Sequence, residues 1–369
     1  MTLERQILVW SIALAALGVL LYLLGGAVAP FAAGIALGYL LDPVVRRMQG
    51  FGLSRLVASL IILIVFILVA ALLLLIAAPA LATQFASFAQ KLPGYAMRLQ
   101  ALVVEEGNAL LDRYGGEWRA SGWTISGDQI QKSVGDFVAQ GAQWLLNFLR
   151  SLVSGGATIF SFLSFLIITP VVAFYMLVDW NKMVATIDDW LPLQHRDKLR
   201  AIATEINHAL AGFIRGQSLV CLFLGLWYGI GLTLIGLDFG FLIGVIAGVL
   251  SFIPYVGSLT ALVLSVAVSL VQGWPSLTLF LSALGIVLVG QFLEGYVISP
   301  KLVGGSIGLH PVWLMFALFA FGELFGFTGL LIAVPAAAAL GVLVRHLLGL
   351  YLNSALYRGG AGSPTAGTP

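Results

Sequence analysis

The chain is 369 residues long, with 60% hydrophobic residues and only 9% charged ones, against about 25% charged in a soluble domain. So little charge cannot cover a water-facing surface, and lipid is the solvent that fits. The net charge of +2, from 18 Lys+Arg against 16 Asp+Glu with no basic tract, excludes a nucleic-acid partner, and the lone Cys221 excludes an intrachain disulfide and any multi-cysteine metal site.

Taken in chain order, stretches free of Asp, Glu, Lys and Arg mark the membrane helices, since about 20 apolar residues are needed to cross the hydrocarbon core. Ile7–Leu24 is longer than a secretory h-region and has no strongly basic leader before it, so it reads as an uncleaved first span. Ala27–Leu41 follows after Gly25-Gly26, with Gly34 and Gly38 suited to close helix packing. Leu56–Leu81 is a third span and Val153–Val178 a fourth, with Pro170 as a kink. Leu219–Leu237 is a fifth. Phe239–Leu293 has no charged side chain at all, and uncharged blocks follow from after Lys301 to Gly322 and from Leu324 to Val344.

Two regions carry charge of both signs together with helical apolar spacing. Ile130, Val134, Phe137, Gly141, Trp144 and Phe148 form one stripe, and Leu199, Ile202, Ile206, Leu210 and Phe213 form another. These predict amphipathic helices on the membrane surface or against a partner. The tail from Gly359 is rich in Gly, Ser, Pro and Thr and reads as disordered. The expected organisation is therefore N-terminal membrane helices over 1–81, an extramembrane amphipathic region over 82–150, a membrane helix over 151–178 and an amphipathic cytoplasmic linker over 179–217. A transport core over 218–346 and a tail over 347–369 complete it. The fold class is all-α: a polytopic membrane protein of about eight inserted helices, with broken or re-entrant segments in the C-terminal third.

The positive-inside rule sets the orientation. Arg46, Arg47 and Arg55, then Lys182, Arg196, Lys198, Arg200 and Arg215, and finally Arg345 and Arg358, can all be cytoplasmic if the N-terminus is. The residues Phe252-Ile253-Pro254-Tyr255-Val256-Gly257 split the block 239–271 into pieces too short to cross alone. One kinked crossing is favoured over a hairpin, because it keeps Arg345 and Arg358 inside.

The chemistry-bearing residues concentrate in that last third. No lysine sits in a glycine-rich phosphate loop, so the chain is not an ATPase by itself. Gly304-Gly305-Ser306-Ile307-Gly308 matches a serine-hydrolase pattern but lacks its strand-turn-helix setting, and a flexible loop is the better reading. Glu294, near Gln291, and Glu323 interrupt apolar blocks. An ionisable group at membrane depth tends to face a cavity, a partner or a pathway, and a carboxyl held away from water suits proton carriage. The competing reading puts both at helix ends at the interface. The stretch 311–322 is too short to cross, so if it is re-entrant Glu323 lies near its tip. Ser299-Pro300-Lys301 with Gly304 and Gly305 forms a second expected break beside that at Pro254, Tyr255 and Gly257. Interrupted helices are where transporters build their sites, although either break alone would read as a simple kink or loop. Gly240, Gly244 and Gly248 form a small-residue packing face. Asp42, Asp179 and Arg215 read as interface charges, with Asp179 and Arg215 a potential pair. No metal site is expected.

Several segments together resemble the autoinducer-2 exporter family of bacterial membrane proteins. They are Gly38-Tyr39-Leu40-Leu41-Asp42-Pro43, Phe174-Tyr175 with Asp179, Arg215-Gly216-Gln217, Phe252–Gly257, Gln291–Lys301, Gly308-Leu309-His310-Pro311, Gly322–Gly326 and Val334-Pro335. The likeness runs over about residues 25–345. It implies a permease of about eight helices in a bacterial inner membrane, with no cofactor, no enzymatic activity and no ATPase partner. It also implies a homo-oligomer, with a pentamer as the candidate number. Family members are linked to export of the autoinducer-2 signal or to sodium/proton antiport, so the expected cargo is a small solute or a monovalent cation. Glu294, Glu323, Gln291 and Lys301 are the expected pathway or ion-coupling residues. The rival from another class is a non-transporting scaffold that recruits partners through 82–150 and 180–217.

Overall fold

The computed structural model describes residues 25–120, 156–302, 309–354 and the isolated positions 136, 140, 143 and 357. The expected first span Ile7–Leu24, the stripe Ile130–Phe148, Gly304, Gly305, Ser306 and the Gly359–Pro369 tail lie outside the described residues. Among the described residues every regular element is a helix: α1 Gly25–Gly50, α2 Arg55–Ala120, α3 Gly156–Asp189, α4 Arg196–Leu234, α5 Gly240–Leu250, α6 Val256–Gly273, α7 Thr278–Leu293, a π turn Glu294–Ile298, α8 Ser299–Leu302 and α9 Pro311–Leu352. A backbone in hydrocarbon must bond to itself, and a helix does so within one segment. Six stretches are long and apolar enough to cross a membrane: Arg55–Leu102, Phe165–Asp189, Leu193–Leu234, Val256–Gly273, Thr278–Leu302 and Pro311–Leu352. The protein is an all-α polytopic membrane protein.

The chain divides into two compact units. One takes the chain up to Val65, then Ser164–Ser218, then Ser299 onward; the other takes Phe66–Leu163 and Leu219–Ile298.

Helices run through several expected boundaries. α2 shows no break at residue 82 and continues to Ala120, a length of about 100 Å against a hydrocarbon core of about 30 Å. Its residues Leu72, Leu73, Leu74, Leu75 and Ile76 are all exposed. Five successive residues cover the whole circumference of a helix, so this turn is greasy on every side. The charged stripe ending at Phe213 and the fifth span form one helix, α4. Charge density set the expected boundaries, but charge does not end a helix; a chain can leave the membrane without changing its backbone.

In the second unit, residues 239–273 form a hairpin rather than one kinked crossing. The Asp238 backbone N–H donates to the Gln272 side-chain oxygen at 2.8 Å, and the Gln272 amide donates to the Gly236 carbonyl at 2.9 Å. The two ends of the segment therefore meet, which corrects the single-crossing expectation. The turn between α5 and α6 places Tyr255 in the left-handed region, φ 68°. Gly257 follows it, and a Cβ there would strike Ser251 and the Ala247 carbonyl.

In the first unit, α9 is also folded on itself, at Gly326 (φ 60°, ψ −140°). A Cβ on Gly329 would fall on the Phe321 carbonyl, one on Gly322 would lie 3.0 Å from Leu330, and one on Gly341 would lie 2.6 Å from Leu309. Residues equally distant from the bend face each other, so 311–325 and 327–352 are antiparallel arms. The first arm, 311–325, reaches only about 22 Å, whereas the second, 327–352, reaches about 39 Å.

Candidate functional site

In the second unit the first hairpin is seated on α4 by glycine. A Cβ on Gly248 or Gly244 would strike the backbone of Gly225 or Gly229, and one on Gly240 would lie 2.7 Å from the Leu232 carbonyl carbon. The small-residue face Gly240-Gly244-Gly248 thus brings two backbones together. The α6 arm presents its own small face, Gly257, Ala261, Ser265 and Ser269, all buried. The hydroxyls of Ser251, Ser265 and Ser269 donate to carbonyls three or four residues back, which hides their polarity within the helix.

Across α4 and α7 runs a short polar chain. Tyr228 is fully buried, and its ring edge lies against Gly290, where a Cβ would be 2.6 Å from it. The Gln291 amide donates to the Tyr228 hydroxyl at 3.2 Å and to the Glu294 carboxylate at 3.0 Å. Trp227 Nε1 donates to the Ile286 carbonyl at 2.9 Å, fixing α4 to α7 one turn away. Glu294 is half-buried and opens a π turn, Glu294–Ile298. Such turns widen the helix and leave carbonyls without their usual partner. No salt bridge to Glu294 exists among the described residues. Gln291 and Glu294 are thus brought together, and Tyr228, which sequence reading missed, completes the set. A tyrosine in an apolar stretch carries no signal of its own until its hydroxyl finds a partner.

Pro300 and Lys301 do not break the chain as expected. The helical path continues through them to Leu302, because the π turn before Pro300 absorbs the missing donor and the ring. Lys301 is exposed. Pro254 and Tyr255 sit between α5 and α6, with Tyr255 56% exposed at the tip. The N-terminus of α6 there has no side-chain cap, so its amide end of the helix dipole points out of the turn.

The base of this hairpin is tied to α2. Tyr95 donates to Asp238 at 2.9 Å, Lys91 pairs with the same carboxylate at 3.5 Å, and Gln84 accepts from the Leu242 backbone N–H at 3.0 Å. Phe88 and Tyr95 meet the Phe239 ring edge-on.

In the first unit, Glu323 lies at the bend of the second hairpin, exposed, three residues before Gly326. Phe321 and Phe325 flank it with ring centroids 6.2 Å apart. Glu323 and Glu294 belong to different units.

The interface charges pair differently from expectation. Asp42 accepts from Arg46 at 2.7 Å and from Arg55 at 3.3 Å, and Arg215 stands 3.9 Å away while donating to the Tyr39 carbonyl at 2.9 Å. Asp179 pairs with Lys182 at 2.9 Å, so the partner of Arg215 is Asp42 and not Asp179. Helical spacing favours Asp179 with Lys182, three residues on; the Asp42 contact joins residues far apart in sequence.

A model of the family described as "AI-2E family transporter" matches residues 11–349. The chain is 29% identical over 323 residues to "Putative transport protein YrrI" of Bacillus subtilis, covering 86% of each chain. It is 27% identical over 329 residues to "Putative permease PerM" of Escherichia coli, covering 88% of this chain and 89% of that one. The chain belongs to the AI-2E transporter family.

Proposed function

We infer that this protein is a secondary transporter of the bacterial inner membrane that exports a small solute, of the autoinducer-2 type, coupled to an ion gradient. The observation that carries the reading is the pair of helical hairpins, bent at Tyr255 and at Gly326, in segments too apolar for water. Helix ends at membrane depth are tolerated only where protein or a water-filled path satisfies them, and transporters use such ends to hold cargo. With the N-terminus cytoplasmic, the arginines of 42–55, 179–217 and 345–358 lie inside. Counting crossings then opens the first hairpin to the outer face and the second to the cytoplasmic face. Glu294 and Glu323 are the coupling acids, Gln291 orients Glu294, Lys301 borders the path, and Pro254, Tyr255 and Gly257 form a gate.

The test is flux by the purified protein in sealed vesicles, with autoinducer-2 and Na⁺/H⁺ exchange measured side by side. Autoinducer-2 efflux that responds to an ion gradient, and that loses this response in Glu294→Gln, is the expected result. A wild-type protein that moves neither cargo leaves the scaffold reading in its place.

A second reading, a Na⁺/H⁺ antiporter, draws on Glu294 itself. A half-buried carboxylate with a Gln and a Tyr beside it, and no salt-bridge cation among the described residues, is a group that can exchange a proton for a monovalent cation. Sodium-driven pH change without autoinducer-2 flux would select it.

A further inference from the structure

At the ends of α1 and α3 and the middle of α4, all within the first unit, lies a cavity of about 360 Å³ that the transport reading does not use. It is of the size that small ligands occupy. Its walls include Tyr39, Asp42, Arg46, Trp180, Asn207 and Arg215, with the Tyr39 and Trp180 rings edge to face at 5.8 Å.

The cavity is rich in donors. Its one carboxylate, Asp42, is already held by Arg46 at 2.7 Å and, from outside the wall, by Arg55 at 3.3 Å. Arg215 uses Nε on the Tyr39 carbonyl, and its Nη2 stands 3.9 Å from Asp42, beyond hydrogen-bond length. The outer edge of the guanidinium is therefore not closed on a carboxylate. Asn207 accepts from the Tyr39 hydroxyl at 2.9 Å, so its oxygen is engaged and its NH₂ remains a donor. His208 also lines the wall. Three arginines around one aspartate leave an excess of positive charge beside neutral donors and two aromatic edges.

We propose that this cavity binds a phosphate-bearing anion. The outer edge of the Arg215 guanidinium, in an ion pair with Asp42 but not hydrogen-bonded to it, can turn its donors to phosphate oxygens, and Asn207 supplies a further donor. The phosphate comes either from an anionic lipid headgroup, whose glycerol side would meet the Trp180 and Tyr39 rings, or from a soluble phosphate. This site does not rest on the transport reading.

The experiment uses the full chain. Retention of phosphatidylglycerol is counted by native mass spectrometry after release from nanodiscs of mixed phosphatidylglycerol and phosphatidylcholine. In parallel, the thermal midpoint is followed with inorganic phosphate against chloride at equal ionic strength. Asn207→Asp keeps the bond from Tyr39 while placing a negative charge in the cavity, so it tests the site without dismantling it. Arg215→Gln removes the fork, and Arg47→Gln removes an equal charge from an exposed position that does not line the cavity. Binding is expected to weaken about tenfold or more in the first two variants and to hold in Arg47→Gln. Retention of the lipid alone assigns the headgroup; a phosphate shift alone assigns the soluble ion. The proposal fails if wild-type protein shows neither effect, or if Arg47→Gln loses as much as Arg215→Gln.

Discussion

The two hairpins are made from similar apolar material but are held differently. The first is pinned along its length and at its base. Gly244 and Gly248 press backbone to backbone on α4, and Gln272 and Asp238 close the open end while Tyr95 and Lys91 grip Asp238. The second is bent at a glycine with φ 60° and ψ −140°, and it carries an exposed acid, Glu323, at its turn. The first therefore supplies a frame for the Tyr228–Gln291–Glu294 chain on the neighbouring helices. The second brings its own ionisable group to the tip.

The largest effect expected from breaking this contrast is at Gly248. Gly248→Leu places a side chain where only backbone fits, and overpacking of this kind costs about 1–3 kcal/mol or more. Loss of monodisperse protein, or a strongly lowered thermal midpoint, checks it. Next come the acids: Glu294→Gln should keep the fold, since an amide oxygen can still accept from Gln291, yet lose ion-coupled flux. Glu323→Gln should do the same, measured in vesicles. Undiminished coupling in either variant removes that acid from the mechanism. Gly326→Ala should cost about 1–3 kcal/mol, because its backbone angles belong to glycine, and thermal unfolding reads this directly. The smallest effect is at Gln272. Gln272→Leu gives up two partly exposed hydrogen bonds, about 1 kcal/mol, and should raise hydrogen exchange at Asp238 more than at Gly326.

Much of this was legible in the residues. The absence of charge from Phe239 to Leu293 announced membrane, the glycines at 240, 244 and 248 announced close packing, and the residues around Pro254 announced a break. The short block 311–322 left two readings of Glu323 open, a tip or a helix end at the interface; the chain bends three residues after it, at Gly326, and leaves Glu323 exposed. What stayed hidden depends on long-range contact. A break at Pro254 has the same sequence whether the chain bends slightly or turns back. Only the meeting of Gln272 with Gly236 and Asp238 decides between them, and nothing local encodes it. Gly326 is one glycine among many in an apolar run, and its unusual angles leave no periodic trace. Pro300 looked like a breaker because proline usually is one, whereas a π turn just before it lets the helix pass. The boundary expected at residue 82 separates membrane from solvent and asks for no break in the backbone, and α2 runs straight through it. Tyr228 and the Asp42–Arg215 pairing required partners that are distant in the chain.

The central claim is that both segments leave the membrane on the face where they enter it. Labelling by a membrane-impermeant maleimide, with Cys221→Ala as background and single cysteines at Leu234, Ser276, His310 and Tyr351, tests it most directly. Leu234→Cys and Ser276→Cys should label from one face, and His310→Cys and Tyr351→Cys both from the other. If the members of either pair label from opposite faces, that segment crosses the bilayer and the hairpin account of it is wrong.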